Sequence, residues 1–193
     1  MPTGKRRGPR RWTTGRTSNK DDCSRTVYYF AYGSNLSSPR LTNRVPSAVI
    51  LATGQLRRHR LRFHKIGRDG SAKCNALYTG LSGDRVLGAV FRINPADRRL
   101  LDQAEGLALG YESKEVLIVT PGGERIEAFT YYATRIDPGN RPFHWYKEHV
   151  LRGLREHGFS GDYLRAVEEI ASVEDLDDRR SALELDIYHA EGS

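Results

Sequence analysis

Residues 27–36 have the sequence Val-Tyr-Tyr-Phe-Ala-Tyr-Gly-Ser-Asn-Leu, and this stretch decides how the rest of the chain is interpreted. Its first half consists of β-branched and aromatic residues, which are typical of a buried strand. Gly33, Ser34 and Asn35 then favour a turn. Backbone N–H groups in such a turn, with the short side chains of Ser34 and Asn35, can converge on an anion. The stretch therefore predicts either a carboxylate site at the end of a strand or an ordinary exit from a strand into a turn.

A second feature is a carboxylate at the end of a predicted helix. Asn94 and Pro95 are typical of a helix start and Gly106 of a helix end, so Glu105 occupies the last turn. The helix dipole disfavours negative charge at this end. Glu105 is therefore either a functional carboxylate or an ordinary glutamate that faces solvent.

Both features resemble the gamma-glutamylcyclotransferases. Tyr29–Leu36 resembles the opening motif of that family, in which the first strand leads into a substrate-binding loop. The sequence Asp-Gln-Ala-Glu-Gly at residues 102–106 matches the family's Asp-x-x-Glu-Gly pattern. Residues 146–163 resemble its C-terminal helices, except that Phe159-Ser160 stands where relatives often have Leu-Pro. The resemblance covers about residues 27–172.

The resemblance implies an α+β fold in which a mostly antiparallel sheet closes into a small β-barrel with flanking helices. It also implies intramolecular aminolysis, in which the α-amino group of a γ-glutamyl amide attacks the γ-carbonyl and releases 5-oxoproline and a free amine. Neither water nor a cofactor takes part. Glu105 would be the catalytic acid/base, and core packing is the alternative role for Tyr146. The implied substrate contacts are Tyr32, Gly33, Ser34, Asn35, Leu36, Tyr111 and Tyr146.

Asn35 bears on the choice of substrate. Glutathione-specific relatives tend to have Leu at this place, so we expect a γ-glutamyl amino acid, a γ-glutamyl amine or a γ-glutamylated biosynthetic intermediate, within the broader setting of glutathione metabolism. The expected partner is thus a small molecule, bound by a monomer or a homodimer. Two other classes of function stay open. One is a non-catalytic protein that binds γ-glutamyl-like metabolites on the same fold, and the other is a nucleic-acid-associated protein.

The strands of the domain are predicted to form hairpins. Ala48–Leu51 and Leu56–Ile66 are predicted strands joined by a turn near Thr53-Gly54. Asn75–Tyr78 is predicted to pair with Val86–Ile93 across a Ser-Gly-Asp turn. A further hairpin is predicted from Tyr111–Thr120 and Ile126–Ala133.

Helices are predicted between and after these strands. Ser38-Pro39 is typical of a helix start, and a short helix is expected through Arg44. Apolar residues at three- and four-residue steps predict an amphipathic helix from Phe143 to Gly158, and Ser160 is expected to cap the next one. In the helix that ends at Glu105, the expected buried side consists of Leu100, Leu101 and Ala104.

Positive charge is concentrated at the N-terminus. The 193-residue chain has a net charge of +7, and residues 1–26 contain eight basic and two acidic residues. Few apolar residues occur there, so we expect a disordered tail. The tail is either a plain solvated extension or an arm that binds nucleic acid or an acidic partner. Arginines alternate with apolar residues at 57–62, which indicates the solvent-facing side of a strand rather than a nucleic-acid patch.

The remaining features predict one cytoplasmic domain over residues 27–174, followed by a polar C-terminal extension over residues 175–193. No apolar run approaches the ~20 residues of a membrane helix, and no secretory signal follows the basic start. Cys23 and Cys74 are the two cysteines, so reduced thiols are expected instead of a disulfide framework. The six histidines show no paired zinc-ligand spacing, and no metal site is predicted.

Overall fold

The computed structural model describes residues 26–189. The tail predicted to be disordered covers residues 1–26, and all of it except residue 26 lies outside the described part. The strands are β1 Val27–Ala31, β2 Val49–Arg57, β3 His59–Ile66, β4 Ala72–Tyr78, β5 Arg85–Ile93, β6 Tyr111–Val119 and β7 Arg125–Ala133. The α-helices are α1 Ser38–Arg44, α2 Arg98–Glu105, α3 His144–Glu156, α4 Asp162–Glu168 and α5 Asp178–Asp186. Short 3-10 helices cover Ser34–Leu36 and Pro95–Asp97.

Five strands close into a barrel in the order β1, β5, β2, β6, β7. Each neighbouring pair is antiparallel except β1 and β7, which run parallel and close the barrel where Tyr29 lies beside Phe129. Large fully buried side chains fill the core, among them Phe30, Phe91, Phe129 and Ile118. β3 and β4 form a separate two-stranded sheet. The predicted class, an α+β fold with a mostly antiparallel barrel and flanking helices, is confirmed.

The turn expected at Thr53-Gly54 is wrong, because β2 runs without a break through both residues. β2 ends at Arg57, and Arg58, with a positive φ of 60°, separates it from β3. Gly54 faces Gly88 of β5. A Cβ atom on Gly54 would lie 2.5 Å from Ile118 Cγ2 of β6. The glycine therefore marks a place where two strands approach closely, which a single sequence cannot distinguish from a turn.

The hairpin expected between β4 and β5 is also wrong. β5 pairs with β1 on one edge and with β2 on the other, so neither edge is available to β4. β4 pairs with β3, its predecessor in the chain. The Ser-Gly-Asp turn lies between β4 and β5 but does not determine the pairing partner of either strand, which depends on the closure of the barrel. The hairpin of β6 and β7 is confirmed over nine residue pairs.

The helices agree with the sequence except at two places. Leu101 is fully buried as expected, whereas Leu100 is 42% exposed and Ala104 is also exposed. Consecutive residues of a helix point about 100° apart, so Leu100 and Leu101 do not share one face. The N-cap of α4 is Gly161 rather than the predicted Ser160.

The predicted C-terminal extension contains a helix that packs on the domain. α5 lies against α3, and Glu184 of α5 contacts His149 of α3. Ahead of α5, the buried side chain of Asp175 accepts a hydrogen bond from Trp145 Nε1 at 2.7 Å. Among the helices of residues 26–189, none is long and apolar enough to cross a membrane.

Candidate active site

Two local structures bring the predicted catalytic and binding residues together. The first is the 3-10 helix that follows β1, and the second is the C-terminal end of α2, which Gly106 terminates with a φ of 70°. The side-chain amide nitrogen of Asn35 donates a hydrogen bond to Glu105 Oε1 at 2.6 Å. The strand exit and the helix end that were singled out in the sequence are therefore in direct contact.

Arg44 determines the orientation of the Asn35 amide. An Arg44 nitrogen donates to Asn35 Oδ1 at 2.8 Å, and a guanidinium has only donors to offer. The oxygen of the amide must therefore face Arg44, and its NH₂ group faces Glu105 and the hydroxyl of Tyr29. Glu105 also lies 3.6 Å from Arg44, with its side chain 15% exposed. Oε2 of Glu105 receives no hydrogen bond from residues 26–189, so it is available to a ligand.

A small inner chamber of about 20 Å³ surrounds this contact. Its volume is close to that of one water molecule. The lining residues are Tyr29, Tyr32, Gly33, Ser34, Asn35, Cys74, Glu105, Tyr111, Tyr131 and Tyr146. All predicted site residues except Leu36 are among them.

Tyrosine hydroxyl groups hold the inner chamber in shape through backbone contacts. Tyr111 donates to the carbonyl oxygen of Cys74 at 2.5 Å, and the Cys74 N–H donates to the hydroxyl oxygen of Tyr146 at 3.0 Å. Tyr32 donates to the carbonyl oxygen of Tyr131 at 2.6 Å. Because the three rings are fixed by backbone partners, their positions follow from the fold of β4 and β7.

Gly33 is required by a close approach of neighbouring groups. A Cβ atom at this position would lie 3.0 Å from Cys74 Cβ and 3.4 Å from the hydroxyl oxygen of Tyr146. Any larger residue would push the turn away from the β4 backbone.

Leu36 does not line the chamber, which corrects its predicted role as a substrate contact. Its side chain is fully buried beneath α3, where a Cβ atom on Gly153 would lie 2.8 Å from Leu36 Cβ. Its N–H donates to the carbonyl oxygen of Gly33 at 2.9 Å and is not available to a ligand. In a 3-10 helix each N–H donates to the carbonyl oxygen three residues earlier. The hydrogen bond from Leu36 to Gly33 therefore closes the turn that contains Ser34 and Asn35.

The thiol of Cys74 has low reactivity, although Cys74 lines the inner chamber. Burial raises the pKa of its thiol to about 12, so the reactive thiolate is scarce at neutral pH. The side chain therefore contributes shape rather than a nucleophile.

An outer chamber of about 300 Å³ adjoins the inner one. Ser34, Glu105, Tyr111 and Tyr146 line both chambers. The outer volume lies at the lower end of the range of ligand pockets, roughly 300 to 1,000 Å³. A larger cavity of about 440 Å³ lies beside α5, but Glu105 and the tyrosines do not line it. The predicted catalytic carboxylate therefore lies where the inner and outer chambers meet.

Several residues of the site were not predicted from the sequence. Tyr29 belongs to the opening stretch. Residues two apart in a strand point to the same face, so the sequence could have indicated that Tyr29 and Ala31 share one face of β1. Arg44, Lys65 and Tyr131 come from three other elements, and no local pattern distinguishes them from ordinary surface or strand residues.

The fold and the site define a class: a small closed-barrel protein with one carboxylate at a tyrosine-lined pocket. Comparison with known proteins narrows that class. The sequence profile of the AIG2-like family matches residues 85–167. Gamma-glutamylcyclotransferase of Mus musculus is 33% identical over 150 residues, which span 74% of this chain and 79% of the relative. The Homo sapiens gamma-glutamylcyclotransferase is 31% identical over 150 residues, spanning 72% and 78%.

Solved structures agree with these sequence relatives. One named gamma-glutamyl cyclotransferase has a TM-score of 0.72 at 26% identity and covers 79% of this chain and 92% of that chain. An uncharacterised Homo sapiens protein has a TM-score of 0.73 at 26% identity, covering 82% and 98%. This chain belongs to the gamma-glutamylcyclotransferase family.

Proposed function

We propose that this protein cyclises the γ-glutamyl part of a γ-glutamyl amide, releasing 5-oxoproline and a free amine, with Glu105 as the general acid/base. One observation carries the proposal: the Glu105 carboxylate, oriented by Asn35 at 2.6 Å, lies where the inner and outer chambers meet. Membership of the gamma-glutamylcyclotransferase family supports the reaction type.

The reaction needs a proton acceptor and returns the proton before it ends. An α-amino group has a pKa of about 8, so much of the substrate carries an ammonium group at neutral pH. The ammonium proton is first lost to solvent. The free amine nitrogen then forms a bond to the γ-carbon, and Glu105 takes one of the two protons that this nitrogen still carries. The resulting tetrahedral oxyanion collapses as the original C–N bond breaks, and Glu105 gives its proton to the leaving amine. Every atom of the substrate is recovered in the two products.

Positive charge at the junction favours the free-amine form of a bound substrate. Arg44 lies 3.6 Å from Glu105 and lines the outer chamber with it. Nearby cations disfavour the ammonium form of a bound substrate and so lower the pKa of its α-amino group. A larger share of the bound substrate therefore carries the free amine that attacks the γ-carbonyl.

The turn after β1 supplies donors for the negative charge of the substrate. Ser34 and Asn35 begin the 3-10 helix, where N–H groups lack partners within the helix. We assign these two N–H groups to the α-carboxylate or to the oxyanion. Ser34, Tyr111 and Tyr146 line both chambers, and we assign them to holding the γ-glutamyl part in its folded shape. Because the amine and the carbonyl are already tethered, this orientation is a large part of catalysis.

The proposal is tested by identifying the products. The purified full-length protein is incubated with γ-glutamyl-alanine, γ-glutamyl-ethylamide and glutathione in ¹⁸O-labelled water. We expect 5-oxoproline and free amine in equal amounts, without ¹⁸O in the 5-oxoproline, because water does not take part. Labelled glutamate would identify a hydrolase instead. Tight binding without any product would favour the non-catalytic binding protein.

A further inference from the structure

The outer chamber has an excess of positive charge. Its charged lining residues are Arg40, Arg44, Lys65, Arg68, Lys73 and Arg180 against Asp69, Glu105 and Glu184. Three of the basic side chains pair with carboxylates: Arg40 with Glu184, Lys73 with Asp69, and Arg180 with Asp175. Arg44 is occupied by Asn35 and lies near Glu105. Among residues 26–189, no carboxylate lies within 4 Å of the charged groups of Lys65 or Arg68.

Lys65 is the unusual member of this set because it is both buried and unpaired. A β-bulge between Phe63 and Lys65 shifts the register of β3. The residue is only 5% exposed, and its ammonium group lies 4.5 Å from the ring centroid of Tyr111. Within the part of the chain that the structure describes, the ammonium group makes no hydrogen bond or ion pair. The ammonium nitrogen is not itself enclosed, so a ligand in the outer chamber can reach it. A cation on a largely buried side chain with no carboxylate partner is suited to pair with an anionic group of the substrate.

The position of Lys65 indicates which part of the substrate would meet it. Lys65 lines the outer chamber but not the inner one, and Tyr111, whose ring it contacts, lines both. Of the donors assigned to the γ-glutamyl part, Asn35 lines only the inner chamber and Ser34 lines both. A group that contacts Lys65 therefore lies on the outer side of the scissile bond, where the amine leaves. Arg68, which is exposed and lies near Gly106, lines the same chamber closer to solvent.

We propose that Lys65, with Arg68 closer to solvent, binds a carboxylate on the amine side of the scissile bond. Lys65 is then the residue that distinguishes γ-glutamyl amino acids and peptides, whose amine part carries this carboxylate, from γ-glutamyl amines. The inference rests on the proposed function and assigns the residue that selects among its substrates. A cationic amine part would meet like charge in the outer chamber and is disfavoured.

The test compares two substrates that differ in one charge. γ-Glutamyl-alanine carries the carboxylate, and γ-glutamyl-alaninamide replaces it with an uncharged amide of nearly the same size. We expect the parent protein to prefer γ-glutamyl-alanine in kcat/KM by about ten- to a hundredfold, the value of one charge-assisted hydrogen bond. In Lys65→Met this preference falls to about twofold or less, while kcat/KM for γ-glutamyl-alaninamide stays near the parent value. Lys65→Arg keeps the charge and should retain most of the preference.

Lys114→Met is the matched control, since Lys114 is a half-buried lysine that also lies over a tyrosine ring but lines neither chamber. It should keep the full preference. Arg68→Met removes an exposed side chain and should lower the preference in the same direction, whether or not Lys65→Met folds. Equal losses on both substrates in Lys65→Met would overturn the inference and assign Lys65 to the γ-glutamyl part. A parent protein without preference would also overturn it. If the protein forms 5-oxoproline from neither compound, the proposed function is refuted, and the role of Lys65 in substrate selection is refuted with it.

Discussion

Replacement of Asn35 by alanine tests whether the contact with Glu105 positions a catalytic group or only stabilises the fold. Asn35 is 2% exposed and makes hydrogen bonds to Glu105 at 2.6 Å, Arg44 at 2.8 Å and Tyr29 at 3.3 Å. A hydrogen bond to a charged group contributes about 1.5 to 3 kcal/mol. The Glu105 and Arg44 side chains are 15% and 25% exposed, so water can replace part of what is lost. We therefore expect Asn35→Ala to lower the free energy of unfolding by about 2 to 3 kcal/mol.

The effect on catalysis should be separate and measurable. Without the amide, Glu105 Oε1 loses its orienting donor, and we expect kcat to fall by about ten- to a hundredfold, or roughly 1.4 to 2.7 kcal/mol of barrier. The assay is 5-oxoproline release under saturating substrate, together with chemical denaturation of the same samples.

Asn75→Ala provides the matched control for this experiment. Asn75 is 4% exposed and makes two hydrogen bonds, with His64 and with the N–H of Ala133, but it does not line the inner chamber. It follows Cys74 in β4 and so points to the opposite face of the strand. We expect a loss of stability of about 1 to 3 kcal/mol with little change in kcat. If Asn35→Ala loses stability but keeps the parent kcat, as Asn75→Ala should, the positioning role is refuted.

Two further predictions concern side chains outside the proton-transfer step. Because burial raises the pKa of Cys74 to about 12, iodoacetamide should not inactivate the protein at pH 7 to 8, and rapid stoichiometric inactivation would contradict this assignment. Burial also lowers the pKa of His149 from 6.5 to about 4, although Glu184 opposes the change. The contribution of the neutral His149 side chain to the free energy of unfolding is therefore fully present above pH 6.5 and is lost as the pH falls towards 4. His149→Gln, which does not titrate, should reduce the slope of unfolding free energy between pH 6 and 4.5 by up to about 1.4 kcal/mol per pH unit, and an unchanged slope would show that other groups control it.

Local sequence signals predicted the two halves of the site because each half is a local structure. The change from β-branched and aromatic residues to Gly33-Ser34-Asn35 indicates a strand that ends in a turn, and Gly106 indicates the helix end that carries Glu105. Both signals depend on neighbouring residues only. Only the resemblance to a family predicted that the two halves belong to one site. The hydrogen bond between Asn35 and Glu105 shows that they are in contact.

The rest of the site depends on contacts between distant segments, which local signals do not encode. Lys65 enters the outer chamber through a β-bulge, and Arg44 reaches Asn35 from the end of α1. The partners of β5 are decided by barrel closure, so a turn before it could not predict them. Gly54 was misinterpreted for the same reason, because its need for a small residue comes from Ile118 in another strand.

The kcat of Glu105→Gln is the most direct measurement of the central claim. Glutamine keeps the size and hydrogen-bonding capacity of the side chain but cannot accept the proton. We expect kcat to fall at least about a hundredfold, with a similar melting temperature and retained binding of a γ-glutamyl ligand. Glu168→Gln is the matched control, since Glu168 is the last residue of α4 as Glu105 is of α2, and it should keep the parent kcat. A Glu105→Gln protein that releases 5-oxoproline at near the parent rate would contradict the assignment of Glu105 as the base.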